Sequence, residues 1–506
     1  MRKPLYYYNF KNMKRALICL GVSLSISLVT AAQDALTRVL SMSDVIRLAQ
    51  ENSVSGRSYR NMYLSSYWSF RSFKADYLPS LSLSANIMNF NRSLVALQDY
   101  NTGTYSYRTN YNLSNSGTLS LSQKIAATGG SLQLYSEMSR LDQYQSSHQT
   151  TYYVQPINLY YLQPLWGFNS LKWNKKIEPN RYEVAKREYL ERMEQVTLTA
   201  SQYFWSYASA RVSYDMALQN FAQSKRLYDM AKTRFAMGII TKDNLLQLEL
   251  KVLNDSLSIS SQDVSFRSAR NRLCSYIGYQ EDTDISLNIL YSIPDIELSY
   301  DDVLDKSLNN SSFSLSQLIS KLESEQSVDQ AESQRGVTAS LKATFGLSNN
   351  NDSFSAAFNN LQDQEIVGMS ISIPILDWGQ SEGRVKMARA QAETTKFRLE
   401  QSLQDYKQDL LVKVMQFNNQ RTQCEISKRA ADIAEESYRL ALENFGNGSM
   451  SVTDLNSLQN ERDNARQTYV NNVSSYWSYY FTIRGLTLFD YASNTNISTE
   501  FDNLIK

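Results

Sequence analysis

Hydrophobic positions along the chain recur with two different periods, and each period occurs twice. Over residues 180–237 they return every three or four positions, through Leu190, Met193, Thr197, Ala200, Phe204, Tyr207, Arg211, Tyr214, Leu218, Phe221, Lys225 and Tyr228. Leu246, Leu250, Leu253, Leu257, Ser260 and Val264 continue the spacing beyond Gly238, and a second series runs from Leu399 and Leu403 to Tyr438, Ala441 and Phe445. This is the spacing of coiled-coil seams. No Gly or Pro falls in 180–237, 239–277, 384–445 or 449–484, so the pattern predicts four long helices. At ~1.5 Å per residue the longer ones reach roughly 85–90 Å. Thr197, Arg211, Lys225, Lys413 and Gln420 interrupt positions that a closed bundle fills with Leu or Ile. Such leaky seams fit helices packed side by side in a wall wetted on both surfaces, or a periplasmic coiled-coil rod.

Between the helical stretches the period drops to two. Leu81, Leu83 and Ala85 alternate with serines, and Ile157, Leu159 and Tyr161 lead into Pro164-Leu165-Trp166. Further on, Leu341, Ala343 and Phe345 precede Met369, Ile371, Ile373 and Ile375, then Asp377-Trp378-Gly379. Alternation gives a strand one apolar and one polar face, the signature of membrane strands, although a soluble half-buried sheet has it too. Trp166 and Trp378 stand where interfacial aromatics close such strands. The polar stretches 92–116 and 349–364 read as exposed loops.

The two halves follow one plan: short helix, strands, long helix, glycine-containing tip, second long helix. Leu40-Ser41-Met42-Ser43-Asp44-Val45 aligns with Leu298-Ser299-Tyr300-Asp301-Asp302-Val303 at an offset of 258. Pro164/Pro374, Phe235/Phe445, Gly238/Gly448, Leu245/Leu455 and Leu248/Leu458 align at 210. The first half therefore carries 48 extra residues, placed between about Ala85 and Pro164. The insertion contains two alternating runs around Gly129-Gly130, a hairpin signal expected to extend the strands or loops on the outer side of a barrel. Duplication of a whole mixed unit points to pseudo-symmetric architecture, with a first repeat over 33–290 and a second over 291–506. Four principal strands cannot close a membrane barrel by themselves, since about eight is the minimum. Open edges cannot face lipid either, so the chain must oligomerise to span a membrane.

Composition narrows the function. The net charge is +1 with Lys and Arg scattered, so no nucleic-acid footprint exists. Residues 1–32 read as a secretory signal, with a basic start at Met13-Lys14-Arg15, an apolar core and a Val29-Thr30-Ala31 cleavage site. Translation starts at Met1 or at Met13. Cys19 opens the apolar core instead of closing it, which argues against lipidation. Cys274 and Cys424 lie on helical apolar stripes and read as small core residues. No catalytic constellation, metal-ligand spacing or phosphate loop is visible, and no cofactor is implied; the single histidine, His148, reads as a surface residue.

With this plan the chain resembles the TolC-like outer-membrane efflux family, over the stretch from Leu40 to about Leu488. The resemblance rests on the duplicated helix-strand-helix order, the strand exits Pro164-Leu165-Trp166-Gly167 and 374–379, and the Phe-x-x-Gly tips. It implies a mainly α fold with membrane β: a homotrimer whose chains give four strands each to a twelve-stranded barrel in the outer membrane, above a periplasmic α-helical tunnel. It further implies passive export with a periplasmic adaptor (a membrane fusion protein) and an inner-membrane pump, or service in type I protein secretion. A secreted coiled-coil scaffold or adhesion protein is the alternative from another class. Phe235, Gly238, Phe445 and Gly448 mark the adaptor-docking tips, and Asp243, Asn244 and Asp454 are candidates for the periplasmic constriction. Asp454 stands at the family's acidic position, but the family's second acid is Ser457 here and its basic latch is Met450. Asp454 can equally serve only to stabilise the first turn of the following helix.

Overall fold

A computed structural model describes residues 38–98, 103–144, 147–280 and 283–505. The signal segment, both candidate start methionines and Cys19 lie outside these residues. The element order is β1 (Arg38–Leu40), α1 (Met42–Asn52), α2 (Val54–Ala75), β2 (Ser80–Gln98), β3 (Tyr105–Ile125), β4 (Gly130–Tyr144), β5 (His148–Trp166), α3 (Ser170–Ala236) and α4 (Lys242–Tyr276). After β6 (Ile285–Leu287) the plan repeats as α5 (Tyr300–Asn310), α6 (Phe313–Arg335), β7 (Thr338–Asn351), β8 (Gln362–Ser372), α7 (Gln380–Gly446) and α8 (Val452–Thr487). Two short strands, β9 (Phe489–Asp490) and β10 (Thr495–Asn496), precede a final α9 (Phe501–Ile505).

Each half opens with two consecutive helices where the sequence suggested one. Ser53 and Ser311 are extended at the junctions, and each breaks the helix between an 11-residue piece and a longer one. Helix α3 also begins earlier than expected, running through Pro179. The carbonyl of Lys176 there accepts a hydrogen bond from the Asn180 side chain.

The chain divides into two units. One comprises the described residues through Ser58 with Arg192–Leu298 and Met415–Arg484. Its core is aromatic: Phe204, Trp205, Phe417 and Tyr476 are fully buried. Two of the polar interruptions in the seams are buried and paired. Thr197 accepts from Gln50 Nε2 at 2.9 Å and donates to the Met193 carbonyl at 3.1 Å. Gln420 donates to the Asn472 carbonyl at 3.0 Å. Arg211 stays exposed and pairs with Asp215. Cys274 and Cys424 are free and buried, and burial pushes the Cys424 thiol up to about 11. Not every predicted seam is filled, for Leu246, Leu250, Leu253, Leu257 and Val264 of α4 all remain exposed.

The other unit comprises Tyr59–Glu191, Ser299–Val414 and the residues from Gly485 onward. It contains a six-stranded antiparallel sheet in the order β2-β3-β4-β5-β7-β8. The four principal strands read from the sequence are β2, β5, β7 and β8. The insertion does not extend their outer ends. It adds β3 and β4 side by side between β2 and β5, with the hairpin turn at the end where the strands meet their helices. Stretch 92–116 is mostly strand, not loop: β2 runs to Gln98 and pairs with β3 from Tyr105. Leu94-Val95-Ala96 interrupts the alternation in β2, and in β3 the apolar face is carried mainly by Tyr105, Tyr107, Tyr111 and Leu113, while the backbone ladder continues.

Outside the sheet, the buried Glu194 of α3 accepts two hydrogen bonds from Arg484, from Nε at 2.6 Å and Nη2 at 2.9 Å, tying α3 to α8 in the first unit. Removing one partner strands a buried charge, at a cost of about 3–5 kcal/mol. Arg484→Ala is expected to lower the thermal unfolding midpoint markedly. The double variant Glu194→Leu/Arg484→Met should recover most of it, and equal losses in both variants would contradict this account of the pair.

Candidate constriction, docking tips and membrane wall

The two tips are built alike. After α3, Gly238 (φ +76°) donates to the Phe235 carbonyl at 2.9 Å and Ile239 donates to the Arg234 carbonyl at 2.9 Å. After α7, Gly448 (φ +80°) donates to Phe445 and Ser449 to Asn444, at 3.1 and 3.0 Å. Both are Schellman turns, which need a left-handed residue and therefore favour glycine. Beneath them Leu227, Ala231, Leu248, Tyr438, Ala441, Val452 and Leu455 form one small core from all four long helices.

The tips differ in what they present. Phe445 packs against that core, as does Met450, the position of the family's basic latch. Phe235 is 40% exposed, and Met237, Ile239 and Leu246 beside it are exposed as well. The first tip therefore carries the apolar surface. Arg234, which the sequence reading passed over, reaches across to the carbonyls of Phe445 and Gly446. A guanidinium suits the negative end of a helix dipole, and its repeat equivalent is Asn444, so no periodic signal marked it. Deeper in the same unit, buried Arg462 donates to Asn220 Oδ1 at 2.6 Å and lies 4.3 Å from the Tyr438 ring centroid.

The constriction candidates lie in the first turns of the helices that follow the tips. Thr241 caps α4 by accepting from the Asn244 amide at 3.3 Å, and exposed Asp243 accepts from Gln247 at 2.8 Å. Ser451 holds the equivalent place before α8: its hydroxyl accepts from the Asp454 amide at 3.1 Å and donates to the Asp454 carboxylate at 2.7 Å. Asp454 is thus not the cap residue. Its carboxylate is exposed at the end of the helix pair.

The sheet supplies a second surface. Its register sets Leu81, Leu121, Leu134, Leu159 and Phe345 in one row across five strands. Leu83 and Leu119 extend this face, as do Val367, Met369 and Ile371 of β8, and all of them are exposed. The opposite face carries Ser82, Ser120, Tyr135 and Asn158 in one row, with Ser122, Gln133, Tyr160 and Thr344 in the next. Toward the end remote from the helices, the apolar face passes into aromatic rings: Phe90 and Tyr111 at 5.5 Å, Tyr111 and Tyr144 at 5.1 Å, Tyr144 and His148 at 5.0 Å. An apolar band ending in an aromatic girdle is the build of a membrane strand wall. These rings lie at the remote end of the sheet, whereas Trp166 and Trp378 lie at the end where the strands meet their helices. Trp166 ends β5, while Trp378 is 90% exposed in the turn before α7, where Asp377 accepts from the Ser381 amide at 2.9 Å.

Among the described residues no group of three or more His, Cys, Asp or Glu could hold a metal, and no helix is long and apolar enough to cross a membrane.

Comparison with known proteins agrees with this geometry. Residues 304–485 match the family model described as outer membrane efflux protein. No curated protein matches. Solved structures do. The CmeC outer membrane channel of Campylobacter jejuni shares 15% identity, with 92% of this chain and 88% of that one covered at a TM-score of 0.64. The outer membrane protein VceC of Vibrio cholerae shares 14%, covering 90% and 97% at 0.60. The open MtrE channel of Neisseria gonorrhoeae shares 12%, covering 90% and 91% at 0.61. That match lies within the second half of the chain, and the fold of the whole chain is similar to that of these outer-membrane channels.

Gly448→Val places a β-branched residue in the left-handed region, at a cost of about 1–2 kcal/mol. No other residue lies near a Cβ added there, so the loss is conformational and not a clash. Hydrogen exchange should show faster opening of the α7–α8 tip, while amides around Glu194 remain protected. Unchanged exchange at the tip would contradict the Schellman account.

Proposed function

We propose that this protein is a passive outer-membrane conduit of a tripartite export system, carrying small molecules to the exterior. It acts as a homotrimer, joined to a periplasmic adaptor and an inner-membrane pump, and has no catalytic role. The observation that carries this reading is the sheet: rows of exposed leucines on one face, serines, glutamine and tyrosine on the other. Lipid suits the first face and a water-filled lumen the second. The exposed apolar stripe of α4 supports association with further copies, because a seam left open in one chain can be filled by the next. The long helices line the periplasmic passage, and the tips meet the adaptor, chiefly through the apolar surface around Phe235. Trp166 and Trp378 serve as interfacial aromatics.

Detergent extraction of cell membranes is expected to release a heat-modifiable trimer, and deletion of the gene should sensitise cells to toxic small molecules. A soluble monomer recovered without detergent contradicts the reading. Replacing Gly238 with a bulky residue is expected to abolish export while trimers still assemble; normal export from that variant removes the tip from the adaptor contact.

Asp454, repeated by threefold symmetry, sets a cation-favouring ring at the periplasmic opening, as charged rings do in selective pores. Asp454→Asn keeps the backbone contact with Ser451 and removes the charge. Cation preference in planar bilayers is expected to fall with little change in thermal stability. Unchanged selectivity would leave Asp454 with only its first-turn role.

A further inference from the structure

We propose that three copies of this chain close a single eighteen-stranded barrel, with β2 of each copy pairing antiparallel to β8 of the next. The inference rests on the threefold membrane reading above and departs from the twelve strands that the resemblance implies. Each chain contributes six strands to one sheet, so three copies supply eighteen.

The inserted hairpin is part of the wall and not an appendage. β3 and β4 pair without a break from Asn112/Gln143 down to Ile125/Gly130, and each is paired on its other side as well. Its turn is fastened to the helical end of the sheet. The Asn169 side chain donates to the Ala126 carbonyl at 3.1 Å and its Oδ1 accepts from the Lys172 amide at the start of α3. Gln163 donates to the Thr128 carbonyl at 3.1 Å, and Lys124 pairs with Asp76 at 2.6 Å. Displacing the hairpin from the wall would forfeit these bonds and two full ladders.

The two free edges fit each other. With six strands all antiparallel to their neighbours, β2 and β8 run in opposite directions, so the edge of one copy meets the next in the antiparallel sense. Ser80 follows α2 and Ser372 precedes α7, so both edges start from the same end of the sheet. Leu81 and Leu83 share a face with Val367, Met369 and Ile371, and a β8–β2 seam therefore continues the apolar band without a gap. Neither edge is defended at the helical end: 366–372 of β8 and 80–86 of β2 contain no charge, Pro or bulge, while Asp363 and Glu365 of β8 and Arg92 and the Asn86/Asn89 bulge of β2 lie farther from the helices. Soluble proteins blunt their sheet edges with such devices, and lipid leaves an unpaired edge unsatisfied. At a strand spacing of ~4.8 Å and a tilt of about 40°, eighteen strands give a barrel about 36 Å across, against about 24 Å for twelve.

Cryo-electron microscopy of the full mature oligomer in detergent tests the count directly. Three copies surrounding eighteen strands is the expected result. Three copies with twelve strands and the hairpin outside the ring, or two copies closing twelve, overturns the proposal while an outer-membrane conduit stands. A soluble monomer overturns both. The seam itself is read by pairing Ser370→Cys on β8 with Ser80→Cys, Ser82→Cys or Ser84→Cys on β2. These positions lie on the two opposite edges of one chain's sheet, so oxidation can join them only between copies. A ladder ending at three times the monomer mass is expected from at least one pair. No ladder from any of the three overturns the β2–β8 seam.

Discussion

A backbone in lipid must find its hydrogen bonds within protein, because no water is there to supply them. On the membrane reading proposed above, that requirement governs the strand-bearing unit. In lipid, a sheet with an apolar face, six strands and two unpaired edges would be a fragment of a closed wall that further copies complete, as proposed above. The alternation of leucine with serine is what permits such a wall to separate hydrocarbon from water. Neither face would be stable in the other's environment: the serine, glutamine and tyrosine rows cost free energy in lipid, and the leucine rows cost it in water.

The helical unit meets a related constraint by a different route. Its seams contain polar groups that a Leu-filled bundle would exclude. Thr197 and Gln420 are buried but bonded, Glu194 is buried but doubly paired, and Arg211 is kept in solvent. Satisfied polar groups cost little and fix which helix meets which. At the tips the duplicated Schellman turns place similar backbones side by side, yet Arg234 has no counterpart in the second repeat and Phe445 is packed where Phe235 is exposed. The two tips share one backbone plan and differ at single positions, which gives them different surfaces.

Much of this organisation was legible in the sequence. The long helices showed through their three-four spacing and lack of breakers, and the strands through Leu81, Leu83, Leu159 and Phe345. The helix–helix break at Ser53 and Ser311 was not visible, since an extended serine between two helical runs leaves the composition unchanged. Residues 92–116 read as loop because tyrosines stand in for aliphatic residues on one face of β3 and Leu94-Val95-Ala96 breaks the alternation in β2, yet the backbone pairing is continuous. The place of the insertion was hidden for a topological reason. Two extra antiparallel strands preserve every flanking direction, so a hairpin inside the sheet and one outside it have the same local signature. The aromatic margin of Tyr111, Tyr144 and His148 was dispersed over three strands and became a row only through the register.

A membrane wall requires that the two sheet faces meet different surroundings. Single cysteines placed at Leu121 and Leu134 on one face, and at Ser122 and Gln133 on the other, report the surroundings of each when labelled in native membranes. Fluorophores at 121 and 134 are predicted to be quenched by brominated lipid, and cysteines at 122 and 133 to react with a membrane-impermeant maleimide. Equal maleimide reaction at all four positions, with no quenching by lipid, would contradict the membrane wall.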